Sequence, residues 1–521
     1  HGASGQEAAP LDLAALETFL RDPPPGLVGY AVAARFAVRN PAHEIAVRDR
    51  IRAATGLPVT CSHELSARLN GPRRALTAVL NARLIGMITG LVAACEAHLA
   101  RRGIEAPLMV VRGDGALVSA AQARERPIET ILSGPAASIV GARWLTGESD
   151  ALVSDIGGTT TDVALLRDGL PRIDPEGARV GRFRTMVEAV AMRTTGLGGD
   201  SEVHAVTSGL EGGLRLGPRR LVPVSLLAVD HAEMVHRALD RALSAETTGE
   251  MDGRFVLAMG GNAAGIPPRE AALLARIGAG SGTGAGPLAS VMRSRMDAAA
   301  LDRLVSRGLV MLAGVTPSDA AHVLGRLDAW DGAAAEKALR LMARRRDGAG
   351  ERLAPDAATL ARAITARLTA QSADCLLEAA FAEDGAGWGD VPPETLVRHP
   401  ILRAALDGHA GVLRLSAGLG VPVIGLGASA ASYYGAVGER LGARMLLPAH
   451  GGVANAIGAV VGQISMRADG MVTSPAEGRF VAHLPGGTEV FAGRDAALSA
   501  LEAALERDAR ARALAAGAEH L

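Results

Sequence analysis

With 54 Lys plus Arg against 55 Asp plus Glu in 521 residues, the chain has a formal net charge of −1, so no overall field draws it to nucleic acid or to an anionic membrane. Aromatic residues make up 2%, too few for a surface that stacks bases, which leaves small molecules or other proteins as the expected partners. Lys337 is the only lysine, which removes lysine-centred chemistry, and at roughly 100–200 residues per domain the length allows two to four domains.

The first residues, HGASGQEAAPLD, lack the basic start and apolar core of a secretory signal, and a start at His1 instead of Met points to a fragment. From Gly26 to Gly141, strand-like and helix-like runs alternate: GLVGYAVAARFAV as strand, His43 to Thr55 as helix, PVTCSHEL as strand, Pro72 to Arg102 as helix, PLMVVRGDG as strand. That order favours a largely parallel sheet covered by helices. Within it, Ala75 to Ala100 is apolar but carries Asn81, Arg83 and Glu96, and reads as a buried helix and not a membrane span. Cys61, Cys95 and Cys375 are far apart, odd in number and without CxxC spacing, which fits structural thiols in a reducing, cytoplasmic setting.

DALVSDIGGTTTDVALLRDGLPRI then reads as two apolar strands joined by a Gly-Gly turn, a β-hairpin. Arg193 to Val203 (RTTGLGGDSEV) is a glycine-rich loop, followed by strand character in GLRLGPRRLVPVSLL. Residues 231–410 read as mostly helical, interrupted by GAGSGTGAGP at Gly278–Pro287, a composition expected of a mobile linker. After Gly411 a strand, a glycine-rich turn and a helix return, then the small-residue helix in GGVANAIGAVVGQI, and from Met471 short strands and a terminal helix, Asp495 to Ala516.

Three segments carry candidate chemistry. In Asp155-Ile156-Gly157-Gly158-Thr159-Thr160-Thr161-Asp162, two turn glycines let backbone N–H groups converge on phosphate oxygens, and three threonine hydroxyls add donors. Asp155, at the end of the incoming strand, is placed to hold Mg²⁺ directly or through water, and Asp162 flanks the other side; an ordinary hairpin turn is the plainer alternative. Gly425-Leu426-Gly427-Ala428-Ser429-Ala430 matches GxGxxA between strand and helix, and is open between a dinucleotide site, a tight turn and a loop touching adenosine or ribose. Gly196-Leu197-Gly198-Gly199-Asp200-Ser201 can present further N–H groups, with Asp200 as a base or Mg²⁺ ligand; the alternative is an interdomain turn with a solvated aspartate. There is no GxxxxGK[ST], which excludes Walker-type NTPases, no GxSxG, and no HExxH or Cys/His zinc spacing.

The stretch ILSGPAASIVGARWLTGESDALVSDIGGTTTDVALLRDG resembles the hydantoinase A/oxoprolinase family of the actin-like sugar-kinase and heat-shock ATPase superfamily. The resemblance extends to SHELSARLNGPRRALTAVLNARL, RTTGLGGDSEV, GLGASAASYYGAVGERLG, ANAIGAVVG and PSDAAHVLG at Pro317–Gly325, and thins between about residues 240 and 410. It implies an α/β, actin-like (ribonuclease H-like) fold of two lobes with ATP between them: residues 1–148 in the first lobe, 149–454 in the second with a helical insertion, and 455–521 as connecting helix and C-terminal segment. Residues 155–162 match the family's second phosphate loop, Gly425–Ser429 its adenosine-side loop, and Asn455-Ala456-Ile457-Gly458 its connecting helix. A first phosphate loop of DxGGT type belongs near the family's N-terminus; the only such hairpin here is at 155–162, so the chain is expected to begin inside the first lobe.

The resemblance implies ATP- and Mg²⁺-dependent opening of a cyclic amide of the hydantoin or 5-oxoproline type through phosphorylation of the carbonyl oxygen. It also implies a hydantoinase B-like partner subunit, with a homo-oligomer open. The alternatives are an ATP-dependent ketone carboxylase subunit and a nucleotide-binding subunit without turnover of its own.

Overall fold

The computed structural model describes residues 1–207, 212–279, 284–294, 296–484 and 487–518. Contacts divide the chain into two compact units: His1–Ser149, Leu166–Ala191 and Val453–Leu521 form the first, Asp150–Leu165 and Met192–Gly452 the second. The division follows contacts and not consecutive segments, so residues 166–191 and everything from Val453 onward belong with the N-terminal part.

In the first unit, Tyr30–Val32 and Val59–Cys61 pair in parallel, with Tyr30 opposite Val59, around the helix Ala42–Thr55. The third expected strand does not join them. Met109–Val111 instead pairs antiparallel with Leu117–Ser119 across a turn in which Asp114 accepts the Ala116 N–H at 3.1 Å and Gly115 adopts φ +91°.

The helix Gly71–Arg101 starts at Asn70, whose side chain accepts the Arg73 N–H, with proline in its first turn. It is long and apolar enough to cross a membrane by length and composition, and only 28% of that window is buried, less than expected for a core helix. Its buried face includes polar residues engaged by protein: Asn81 donates to Thr60 Oγ1 and Glu125 O at 2.9 Å and accepts the Ile128 N–H at 3.1 Å. Lipid offers no such partners. Val79, Met87 and Leu91 lie exposed on the other face.

The helix Ser133–Thr146 packs against Ala454–Val461 at backbone distance. A Cβ on Gly458 would fall 1.8 Å from Ala137 O, and one on Gly141 would fall 2.0 Å from Ala454 O. Glycine is therefore the only residue that fits either position. Beyond them, Met471–Ala476, Arg479–Leu484 and Gly487–Phe491 form an antiparallel sheet covered by the helix Arg494–Ala515 through Ala497 and Leu501.

In the second unit the central sheet runs in the order Met192–Thr195, Thr161–Arg167, Ala151–Ile156, Val423–Leu426, Met445–Leu446. Val423–Leu426 lies parallel to Ala151–Ile156, pairing Leu426 with Asp155, while Met192–Thr195 runs antiparallel to the outgoing hairpin strand, pairing Thr194 with Asp162. The strands Ala151–Ile156 and Val423–Leu426 are buried nearly throughout, as strands covered on both faces are. Leu152, Ile156 and Val163 share a core with Leu360, Ile364 and Leu376 of the 28-residue helix Ala357–Asp384.

The expected helical middle is present, but it surrounds a four-stranded sheet in the order Val222–Pro223, Val310–Gly314, Phe255–Ala258, Ala285–Pro287. Part of the segment read as a mobile linker, residues 280–283, lies outside the described residues; Ala285–Pro287 is a strand paired with Phe255–Leu257.

Gly458→Val is expected to lower the thermal midpoint, at a cost at or above the about 1–3 kcal/mol typical of overpacking. Gly90→Ala, an exposed position in a helix interior with nothing within 4 Å, is expected to raise it, by about 0.5–1 kcal/mol of stability. Thermal unfolding of the two variants beside the parent chain reads both signs.

Candidate active site

The hairpin turn is closed by Gly157 N–H donating to Thr160 O at 3.0 Å. Gly157 and Thr159 are exposed and Gly158 and Thr160 half-buried, so the turn offers its backbone to an incoming ligand. Behind it sits the glycine-rich loop. Gly199 N–H donates to Gly157 O at 3.1 Å and Asp200 N–H to Gly158 O at 2.9 Å, which fixes both turn carbonyls on the side facing the loop. A Cβ on Gly198 would lie 2.5 Å from each of those two carbonyl oxygens. The close approach thus requires glycine at 198 for a steric reason.

Asp200 is 8% exposed, against the expectation of a solvated turn residue. Its Oδ2 accepts from Arg220 Nε and Nη2 at 3.2 and 3.1 Å, and its Oδ1 accepts from Ser318 Oγ at 3.2 Å. That carboxylate lies against Gly158, where a Cβ would come 2.3 Å from Oδ2. Both oxygens are engaged by protein, so in this geometry Asp200 braces the turn.

The third segment closes on the hairpin from the neighbouring strand. Gly427 has φ +94° and a Cβ there would fall 2.1 Å from Ile156 O; Ser429 Oγ donates to the same oxygen at 3.4 Å. Ser429 also borders Gly199, and Ala428 packs beside Gly452. The helix that follows, Tyr434–Arg440, begins only after a 3-10 turn at Ala430–Ser432. The dinucleotide fingerprint needs a helix N-terminus at the glycine turn, so this loop does not meet it.

Two residues singled out in the sequence are structural. Thr161 is fully buried and its hydroxyl donates to Leu197 O at 2.7 Å, tying hairpin to glycine loop and leaving Thr159 and Thr160 as the available hydroxyls. Gly425 is packed in its strand, where a Cβ would meet Leu447 Cδ2 at 2.7 Å.

Asp155 and Asp162 flank the turn on adjacent strands. Burial pushes the Asp162 carboxyl above its ordinary value of 3.8, the Asp155 charge adds to the rise, and the Thr194 hydroxyl opposes it. Its Oδ1 is buried with no hydrogen-bond partner. An orphaned carboxylate oxygen beside a second carboxylate is a donor set suited to a hard cation, so these residues fit Mg²⁺.

Sequence reasoning missed three supports. Tyr434 OH and Ser154 Oγ share a buried hydrogen bond of 2.6 Å, fastening the 425–434 segment to the strand that carries Asp155. Arg220 anchors Asp200. Asp319, fully buried, accepts from Val224 N, Ser225 N, Ser225 Oγ, Thr316 N and Thr316 Oγ1 at 2.6–3.2 Å, and so sets the helix Pro317–Val323 whose Ser318 touches Gly199 and Asp200. The Thr316/Asp319 capping-box spacing in TPSD was the one legible signal.

A family profile described as Hydantoinase/oxoprolinase matches residues 74–223, a span that holds the hairpin, the glycine loop and Arg220. The chain is 29% identical over 224 residues to the caprolactamase subunit alpha of Pseudomonas jessenii, covering 42% of this chain and 31% of that protein. It is 27% identical over 227 residues to the acetophenone carboxylase gamma subunit of Aromatoleum aromaticum, covering 42% and 30%. The crystal structure of the ATP-dependent caprolactamase from Pseudomonas jessenii matches with a TM-score of 0.60 at 18% identity, over 100% of this chain and 58% of that one. These alignments span about a third of the curated relatives and just over half of the solved chain. The structural likeness shows the fold, the α/β actin-like class of two lobes expected from the sequence.

Because the folded protein holds a proton on Asp162 more tightly than the unfolded chain, this group stabilises the fold below pH 3.8, and the contribution is lost as pH rises through the raised value. At neutral pH the ionised carboxylate is a cost. Asp162→Asn is therefore expected to unfold at a higher temperature than the parent at pH 7, with the gap closing as pH falls toward 4; a gap that widens on acidification would refute the assignment. Asp319→Ala, which strands five donors, is expected to cost more than about 3 kcal/mol by chemical denaturation.

Proposed function

We propose that this chain is the ATP-using subunit of an enzyme that opens a cyclic amide. The observation that carries the reading is the convergence, within one unit, of a partly exposed Gly-Gly-Thr-Thr turn, two flanking carboxylates and two further glycine loops braced against its back. Phosphoryl chemistry asks for positioned donors and a metal more than for a protein nucleophile, and this is what the residues offer.

In this reading the N–H groups of the 157–160 turn and the Thr159 and Thr160 hydroxyls hold phosphate oxygens, Asp155 and Asp162 hold Mg²⁺, and the 427–429 loop takes the nucleoside side. ATP, when bound, supplies the phosphoryl group that turns an unreactive lactam carbonyl into an electrophile water can attack. Asp200 keeps the turn in shape, held by Arg220 and Ser318. The lactam class is supported by the caprolactamase relatives; a hydantoin or 5-oxoproline is the related substrate the sequence brought forward.

A partner subunit of hydantoinase B type belongs to the proposal, supported by relatives that are named as subunits. So does a reducing, cytoplasmic setting, supported by three free cysteines, with the Cys61 and Cys375 thiols pushed up by burial to about 12 and about 11. The carboxylase relatives favour a second reading, in which the same phosphate site serves carboxylation of a ketone.

The natively assembled enzyme, given ATP and Mg²⁺ with caprolactam, hydantoin and 5-oxoproline in turn, is expected to release phosphate in step with one of them. Phosphate release that requires bicarbonate and a ketone would select the carboxylase reading, and release with neither would remove both. Asp155→Ala and Gly198→Ala are each expected to lower ATP turnover by about 10²-fold or more, the scale for losing one preorganised element of an electrostatic site. Unchanged turnover in Asp155→Ala would remove the hairpin from the mechanism.

A further inference from the structure

The first unit contains a cavity of about 580 Å³, in the range of about 300–1,000 Å³ usual for small-molecule sites, and the phosphate hairpin is not among its lining. His63 lines it. The ring is fixed from behind: His63 Nδ1 and Glu44 Oε2 lie 2.6 Å apart, and the His63 N–H donates to the same oxygen at 3.0 Å. Glu44 is fully buried, and it also accepts from Ser62 Oγ and Ala34 N at 2.6 Å each. Burial pushes the Glu44 carboxyl up, but these hydrogen bonds outweigh it and hold the group below its ordinary value. An ionised Glu44 takes the proton on Nδ1, so the nitrogen His63 offers to the cavity is Nε2.

Glu44, Cys61 and His63 come close enough together to raise the question of a metal site. The chemistry argues against one. Both Glu44 oxygens already accept hydrogen bonds, and the buried Arg74 cation adds its charge nearby. The cluster orients an imidazole.

The rest of the lining says what that imidazole faces. Arg126 with Glu129 at 3.8 Å, a carboxylate that also faces Arg112 at 3.9 Å, and Arg467 with Glu188 at 3.4 Å are loose, partly exposed ion pairs bordering the same space. Each pair has both signs available for exchange with a ligand, and Met186 and Met466 add apolar surface between them. A ligand of one sign would gain one partner and strand the other. A zwitterion satisfies both.

We propose that this cavity is a second small-molecule site, which takes an amino acid: its carboxylate on Arg126 or Arg467, its ammonium on Glu129 or Glu188, and a hydrogen bond from the ligand to His63 Nε2. The site stands independently of the phosphate hairpin and of the reaction proposed for it.

Isothermal titration of the chain with glycine, L-glutamate and 6-aminohexanoate, without nucleotide, tests this. Hexanoate and hexylamine, each lacking one charge, are the controls. At least one zwitterion is expected to bind saturably and at least about tenfold more tightly than either control. His63→Ala and Arg467→Ala are each expected to weaken that binding at least about tenfold, while Asp155→Ala leaves it unchanged. Arg467 is half-exposed, so its variant keeps the test valid if circular dichroism shows His63→Ala to be misfolded. Absence of saturable zwitterion binding, equal binding of hexanoate or hexylamine, or binding unaffected by Arg467→Ala would overturn the proposal. Because neither ATP nor Asp155 enters the titration, its outcome does not depend on the reading of the hairpin.

Discussion

Two backbone hydrogen bonds, Gly199 N–H to Gly157 O and Asp200 N–H to Gly158 O, hold the hairpin turn against the glycine loop, and the candidate active site depends on them. They orient the peptide units of the turn: with the carbonyls drawn toward the loop, the turn's remaining donors are left to the other side. The geometry works only at the backbone separation that Gly158 and Gly198 permit. The charged groups then follow in layers, with Asp200 against Gly158, Arg220 and Ser318 on Asp200, and Asp319 fixing the helix that presents Ser318.

This arrangement separates the aspartates by task. Asp200 accepts from Arg220 and Ser318, which suits a brace. Asp162 keeps a buried oxygen without a partner and next to the Asp155 charge, an arrangement that costs stability and is of the kind found where a ligand or cation completes the set. The carboxylates that look alike in the sequence differ in what they touch.

Much of this was legible. The hairpin, the glycine loop and the strand leading into Gly425–Ser429 follow from glycine pairs set between apolar runs, and the resemblance carried by DIGGTTTD and its neighbours gave the fold class. What stayed hidden depends on pairing between distant residues. Thr161 and Thr160 differ by one position in the chain, yet one is fully buried and the other half-buried, because Thr160 belongs to the turn while Thr161 opens the strand and bonds to Leu197 O. Arg220 and Tyr434 act through partners far away in sequence, and no local pattern marks them. Two of the three expected strands of the first unit pair in parallel, while the third, Met109–Val111, pairs with Leu117–Ser119 across Asp114-Gly115, a partner that alternation of strand and helix does not show. The Glu44–His63 pair bridges two elements, so spacing rules for histidine could not find it.

The central claim is that the segments 155–162, 196–200 and 427–429 form one phosphate site. Hydrogen exchange of the chain with and without ATP and Mg²⁺ tests it most directly. The account predicts slowed exchange in all three segments together, lost in all three in Asp155→Ala. Slowing confined to one segment, or located elsewhere in the chain, would contradict it.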